Sequence, residues 1–175
     1  MPMKKVVCYV LILSLAVASC KKLSDLLTFE ISNSENIKVP ASGLLNVPII
    51  SPVPVKMNSQ ESFENNNTRA NLVKDVILKK LTLTITDPAA ENFNFLKSIT
   101  IFIGTGDNDK VPLASLDNIP TGVSTIELIS SNSKLDKYVK ASSYILYTEV
   151  ELRSSVAKEL NLRADSKFKV TADPL

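Results

Sequence analysis

Leu81-Thr82-Leu83-Thr84-Ile85-Thr86 alternates branched aliphatics with threonine without a break. A period of two puts Leu81, Leu83 and Ile85 on one face of an extended chain and the threonines on the other. Aliphatic side chains suit the buried side of a sheet and threonine its wet side. The stretch therefore reads as a half-buried β-strand. It begins at Val76 and is closed by Asp87-Pro88, because proline carries no ladder donor.

The same pattern recurs outward from it. Ser98 to Ile103 repeats the alternation and runs into the turn Gly104-Thr105-Gly106-Asp107-Asn108-Asp109. Val111 to Leu116, Ser124 to Ile129, Ser143 to Arg153 and Lys167 to Ala172 read as further strands, with a turn from Asn118 to Gly122. Lys158 to Asp165 reads as a bend or weak strand. Toward the N-terminus, Leu26 to Ile31 and Ile37 to Val39 read as two short strands separated by a turn-type cluster, Asn33 to Asn36. Pro40 to Pro54 carries four prolines among aliphatics and predicts an edge strand or extended crossing segment. Met57 to Arg69 is polar and reads as a loop.

One helix is expected, with Ser133 as its cap, Asp136 three residues on, and Leu135, Tyr138 and Val139 on one face. Short strands with turns about every ten residues predict an all-β, mainly antiparallel fold, an immunoglobulin-like β-sandwich with one short helix. Residues 26–175 form its single domain.

Composition removes whole classes of chemistry. The chain has no histidine, so Ser-His-Asp triads and histidine metal sites are excluded. Carboxylate pairs remain as acid/base equipment. Glu149 and Glu151 lie two apart on one strand face, beside Tyr147, and read as a solvated face paired with neighbouring lysines. Asp107 and Asp109 follow two glycines and are weak metal candidates, since clustered oxygens in a tight loop suit calcium. Their spacing lacks the alternate-position ligands of an EF-hand loop, and Asp, Asn and Gly are ordinary turn formers. Gly104-x-Gly106 has no third glycine and no following helix, so it is no dinucleotide fingerprint. No cofactor is implied.

The first residues carry a different signal. Lys4 and Lys5 precede an apolar run from Val6 to Val17, and small residues lead into Cys20. This is the layout of a secretory signal peptide, and the run is too short to span a bilayer as a helix, which takes about 20 residues. An uncleaved anchor, with Cys20 an ordinary thiol, is the competing reading. Of 20 basic residues, removal of Lys4 and Lys5 leaves 18 against 18 acidic, so the remainder is formally neutral. A nucleic-acid partner, which would call for a clustered basic excess, is not expected.

Val17-Ala18-Ser19-Cys20-Lys21-Lys22 resembles the lipobox of small Bacteroidota lipoproteins. The stretches Lys79 to Ile85, Phe95 to Ile101 and Leu135 to Tyr147 resemble uncharacterised exported β-sandwich lipoproteins of that group. The resemblance implies a helical signal peptide, residues 1–19, cleaved before Cys20. It further implies lipidation of Cys20 and a lipidated tether over residues 20–25. It places the protein in the cell envelope, anchored to membrane through the lipid on Cys20. The mostly non-acidic residues after Cys20 point to the periplasmic face of the outer membrane, with surface exposure as the other arrangement. No functional motif transfers with it.

The expected role is a non-catalytic binding or structural accessory module with an envelope protein partner. The alternative is a carrier or sensor of lipids or hydrophobic small molecules, with Met57 and the aliphatic run Leu44 to Val55 lining a cavity.

Overall fold

The Leu-Thr-Leu-Thr-Ile-Thr run lies inside a fifteen-residue strand, and its neighbours fix how the rest is layered. The computed structural model describes residues 27–41 and 52–175. In chain order these form β1 (Thr28–Val39), β2 (Val53–Lys56), α1 (Ser59–Asn65), β3 (Val73–Asp87), β4 (Leu96–Gly104), β5 (Val111–Asp117), β6 (Thr125–Ser130), α2 (Asp136–Val139), β7 (Ser143–Leu152) and β8 (Leu160–Ala172).

The strands hydrogen-bond in the order β1-β8-β3-β6-β5-β4-β7-β2, and every pairing is antiparallel. The β5–β6 pairing is held at only Ala114↔Ser130 and Ser115↔Ile129. The strands thus fall into two groups of four, β1-β8-β3-β6 and β5-β4-β7-β2, and the aliphatic faces of both contribute to one core. Tyr144 of β7 meets Phe168 of β8 edge to face, with ring centroids 6.4 Å apart.

The antiparallel β-sandwich expected from the sequence is what forms. Its strand order refines the immunoglobulin-like expectation. Four strands face four, and the chain passes between the groups in the order of a double-sheet jelly roll, whereas an immunoglobulin constant-type sandwich sets four against three.

Three elements differ from their sequence reading. β1 is one continuous strand, and the Asn33–Asn36 cluster read as a turn lies within it. There the Ser34 hydroxyl donates to Asp165 at 2.7 Å, and the Ser166 hydroxyl donates to the Asn33 carbonyl at 3.3 Å. β8 is likewise continuous, with Leu160, Leu162, Ala164, Ser166, Phe168, Val170 and Ala172 all turned inward. Small or polar residues of weak β-propensity hid both strands, and pairing between them overrides that propensity.

The loop read over Met57 to Arg69 contains α1, whose Phe63 is buried and meets Phe29 edge to face at 6.2 Å. α2 is the expected short helix, and Leu135, Tyr138 and Val139 are buried with it. Ser133 does not cap it. The residue before the helix is Leu135, with no side-chain cap, and the Ser133 hydroxyl donates instead to the Pro112 carbonyl at 2.8 Å.

The β3 pairing with β8 slips between Leu78 and Lys80, so Lys79 and Lys80 both stay exposed before alternation resumes at Leu81. An extra residue in one strand resets which face each side chain takes.

Phe168 is fully buried at the centre of this arrangement. Phe168→Ala should lower unfolding free energy by about 3–5 kcal/mol, as large-to-small core changes do. Chemical denaturation measures it, and a loss below about 0.5 kcal/mol, the scale of an ordinary surface substitution, would contradict the packing described.

Candidate functional site

The outward positions of β1, β8, β3 and β6 converge on an open polar trough of about 660 Å³. Ser32 and Ser34 come from β1, Arg163, Asp165 and Lys167 from β8, Lys80, Thr82 and Thr84 from β3, and Thr125 from β6. Alternation sends Thr82 and Thr84 of β3 and Arg163, Asp165 and Lys167 of β8 outward, because their chain neighbours are turned into the core.

Their charges are already arranged among themselves. Arg163 Nε donates to Asp165 Oδ2 at 2.8 Å, while Ser34 holds the other oxygen of that carboxylate. These two contacts, Ser34's first, keep the Asp165 carboxyl below its usual range. Lys80 lies 3.3 Å from Glu127. Lys79 and Lys167 converge on Glu30, Lys167 at 3.2 Å, and they hold the Glu30 carboxyl low in turn. Thr125 donates to Thr84 at 3.2 Å. The trough offers hydroxyls and fixed charges of both signs, a surface suited to holding a polar partner.

Sequence reading identified the threonines as a wet face but not the trough. Assembling it requires knowing that Asp165 lies between Ser34 and Thr82 and Arg163 between Asn36 and Thr84, which only the β1–β8–β3 register supplies.

The turn from Gly104 to Asp109 is built around one carboxylate. Asp109 Oδ1 accepts from the amides of Thr105 at 2.8 Å and Gly106 at 3.0 Å. Its Oδ2 accepts from the Thr105 hydroxyl and from Lys137 Nζ, each at 2.6 Å. Both oxygens of this metal candidate are therefore engaged by protein donors. Among the described residues, no three acidic, cysteine or histidine side chains gather to hold an ion. The backbone closes so tightly that a Cβ on Gly104 would come within 2.9 Å of the Gly106 carbonyl.

The Tyr138 hydroxyl ties α2 to the Asp109 carbonyl at 2.5 Å. Lys110 then lies over Tyr147, 5.3 Å from the ring centroid, so Tyr147 is buried although it sits on the outward face of β7. Burial, and next the hydrogen-bonded Asp107 carboxylate, push the Tyr147 phenol up.

Glu151 pairs with Lys97 of β4 at 2.6 Å, and Glu149 stands opposite Thr100 of the same strand. A separate apolar cleft of about 70 Å³ opens between the two strand groups, lined by Ile37, Leu83, Ile99, Ile101, Val150 and Leu162 among others. Met57 packs on the core rather than lining this cleft. Cys20, the leader, the tether and most of the Leu44–Val55 run lie outside the described residues. Among the described residues no helix is long and apolar enough to cross a membrane.

Lys137, then Thr105, hold the Asp109 carboxyl far below its usual range. Because folding lowers this pKa, its stabilisation is fully present above the unfolded carboxyl's value of about 3.9 and is lost as pH falls from there. Wild type should therefore out-last Asp109→Asn in denaturation at neutral pH, with the gap closing below about pH 4. A gap that stays constant down to acid would contradict this role.

The chain matches no protein-family model and no curated protein. Among solved structures it is similar to one of Desmodium yellow mottle tymovirus, at 11% identity over 85% of this chain and 84% of that one, with a TM-score of 0.28. It is similar also to one of turnip yellow mosaic virus, at 10% identity over 84% of this chain and 94% of that one, with a TM-score of 0.29. Likeness at that level carries no function, and the fold rests on the strand order of this chain itself.

Proposed function

We propose that this is a lipid-anchored protein of the cell envelope whose β-sandwich serves as a non-catalytic binding or structural accessory module. Anchoring is read from the leader: two lysines, a short apolar run, and Val17-Ala18-Ser19 leading into Cys20. The lipid on Cys20 seats the chain at the outer membrane, facing the periplasm. Lys21 and Lys22 add headgroup attraction of about 1 kcal/mol each where the leaflet is anionic.

The observation that carries the binding reading is the open trough of β1, β8, β3 and β6. It is lined with serine and threonine hydroxyls, and its one lining carboxylate, Asp165, is ion-paired with Arg163. Ser34 and Arg163 hold the Asp165 carboxyl low, and beside the trough Lys79 and Lys167 do the same for Glu30. The natural partner of such a surface is polar, an envelope protein by preference.

Lipid carriage is the weaker reading. Pockets that enclose drug-sized ligands run to about 300–1,000 Å³, and the apolar cleft between the strand groups is about 70 Å³.

Cys20→Ala tests the anchor. In the native host the variant should lose all incorporation of labelled fatty acid and accumulate as unprocessed precursor or soluble protein. Acylation that persists in the variant, or is absent from the native protein, would refute the proposal.

A further inference from the structure

The two ends of the strand order are guarded unequally. At one end β2 is four residues long and carries Pro54, two devices that discourage a further strand. At the other end β1 is twelve residues long, with no proline and an unbroken register against β8. Among the described residues no strand pairs with its outer side. Phe29, Ile37 and Val39, on the inner face of that edge, are only partly covered by the core. A long row of free backbone donors and acceptors beside half-covered apolar side chains is a template for another strand.

We propose that β1 pairs antiparallel with β1 of a second copy of this chain, about a two-fold axis at Ser34, so that one continuous sheet joins two sandwiches. The inference stands independently of the anchoring proposal. Residues directly opposite in an antiparallel pair share a face. The inner-facing residues of β1 are the odd-numbered ones, so a pairing that keeps both cores on one side is centred on a residue.

Centred on Ser34, the strand is complementary to itself. Glu30, already engaged by its own Lys79 and Lys167, faces the partner subunit's Lys38, Ile31 faces the partner subunit's Ile37, Phe29 faces the partner subunit's Val39, and Asn33 faces the partner subunit's Glu35 as a polar pair. Ser32 and Asn36 meet as polar neighbours. Moving the centre to Asn33 sets Ile31 against a glutamate, and moving it to Glu35 opposes that carboxylate to its own copy. The apolar pairs would cover Phe29, Ile37 and Val39, which the core leaves partly exposed, and the Glu30–Lys38 pairs at both ends would fix register rather than supply most of the attraction.

Disulfide trapping on the full chain reads this register directly. Opposed Cα atoms lie about 4.5–5.5 Å apart, within disulfide reach. Ser34→Cys should therefore convert under mild oxidation to a species of twice the chain mass on a non-reducing gel. Ser32→Cys places its two thiols roughly 14 Å apart and should stay at the wild-type background, which already includes Cys8 and Cys20. Adding Lys38→Glu, at a side chain 76% exposed, to Ser34→Cys should cut the cross-linked fraction several-fold by setting like charges opposite one another. Cross-linking of Ser34→Cys at background, or equal trapping of Ser32→Cys, would overturn the pairing. An undiminished yield with Lys38→Glu would overturn the register.

Discussion

The structure depends on one constraint above others: β8 must hydrogen-bond on both sides at once while turning every second residue into the core. Its partners are β1, matched over the whole length of that strand, and β3, matched through three irregularities. Inward, Phe168 and Val170 are wholly buried, and Phe168 meets Tyr144 across the sandwich. Burial pushes the Tyr144 phenol up to about 12. Ser166, the one inward polar residue of β8, donates to the Asn33 carbonyl. Among the described residues no buried side-chain nitrogen or oxygen lacks a partner. That matters, because an unsatisfied buried group costs about 1–3 kcal/mol.

The outward face of the same strand supplies the charge of the trough. Arg163, Asp165 and Lys167 are each held by a neighbour, but exposed pairs of this kind contribute only about 0–1 kcal/mol each. A single core aromatic outweighs several of them. The trough charges therefore do little for stability, and what they determine is the electrostatic pattern of that face. The turn at Asp109 differs in that four donors converge on one carboxylate and link the β4–β5 connection to α2. It reads as a structural clasp.

Legibility followed locality. Leu81 to Thr86 declared its strand because its aliphatic and threonine positions never slip, and Ser98 to Ile103 did so for the same reason. Even the doubled lysine before Leu81 was a mark of the bulge there. Asn33 to Asn36, read as a turn, and Lys158 to Asp165, read as a bend or weak strand, obscured two long strands because each forms its ladder only when paired with the other. α1 was hidden for want of apolar periodicity, with Phe63 as its single large buried anchor. The jelly-roll order and the trough lie beyond local reading, since both are set by which strands become neighbours. Asp107 and Asp109 were recognisable as a turn, but the reach of Lys137 to Asp109 across the fold was not.

Hydrogen exchange of the backbone amides tests the placement of β8 most directly. Protection should be greatest from Leu162 to Val170, whose amides are released only when the whole domain unfolds, and clearly lower in β2 and α1. If the amides of β8 exchange as readily as those of β2, the strand is not the centre of the sheet, and the layering built on it fails.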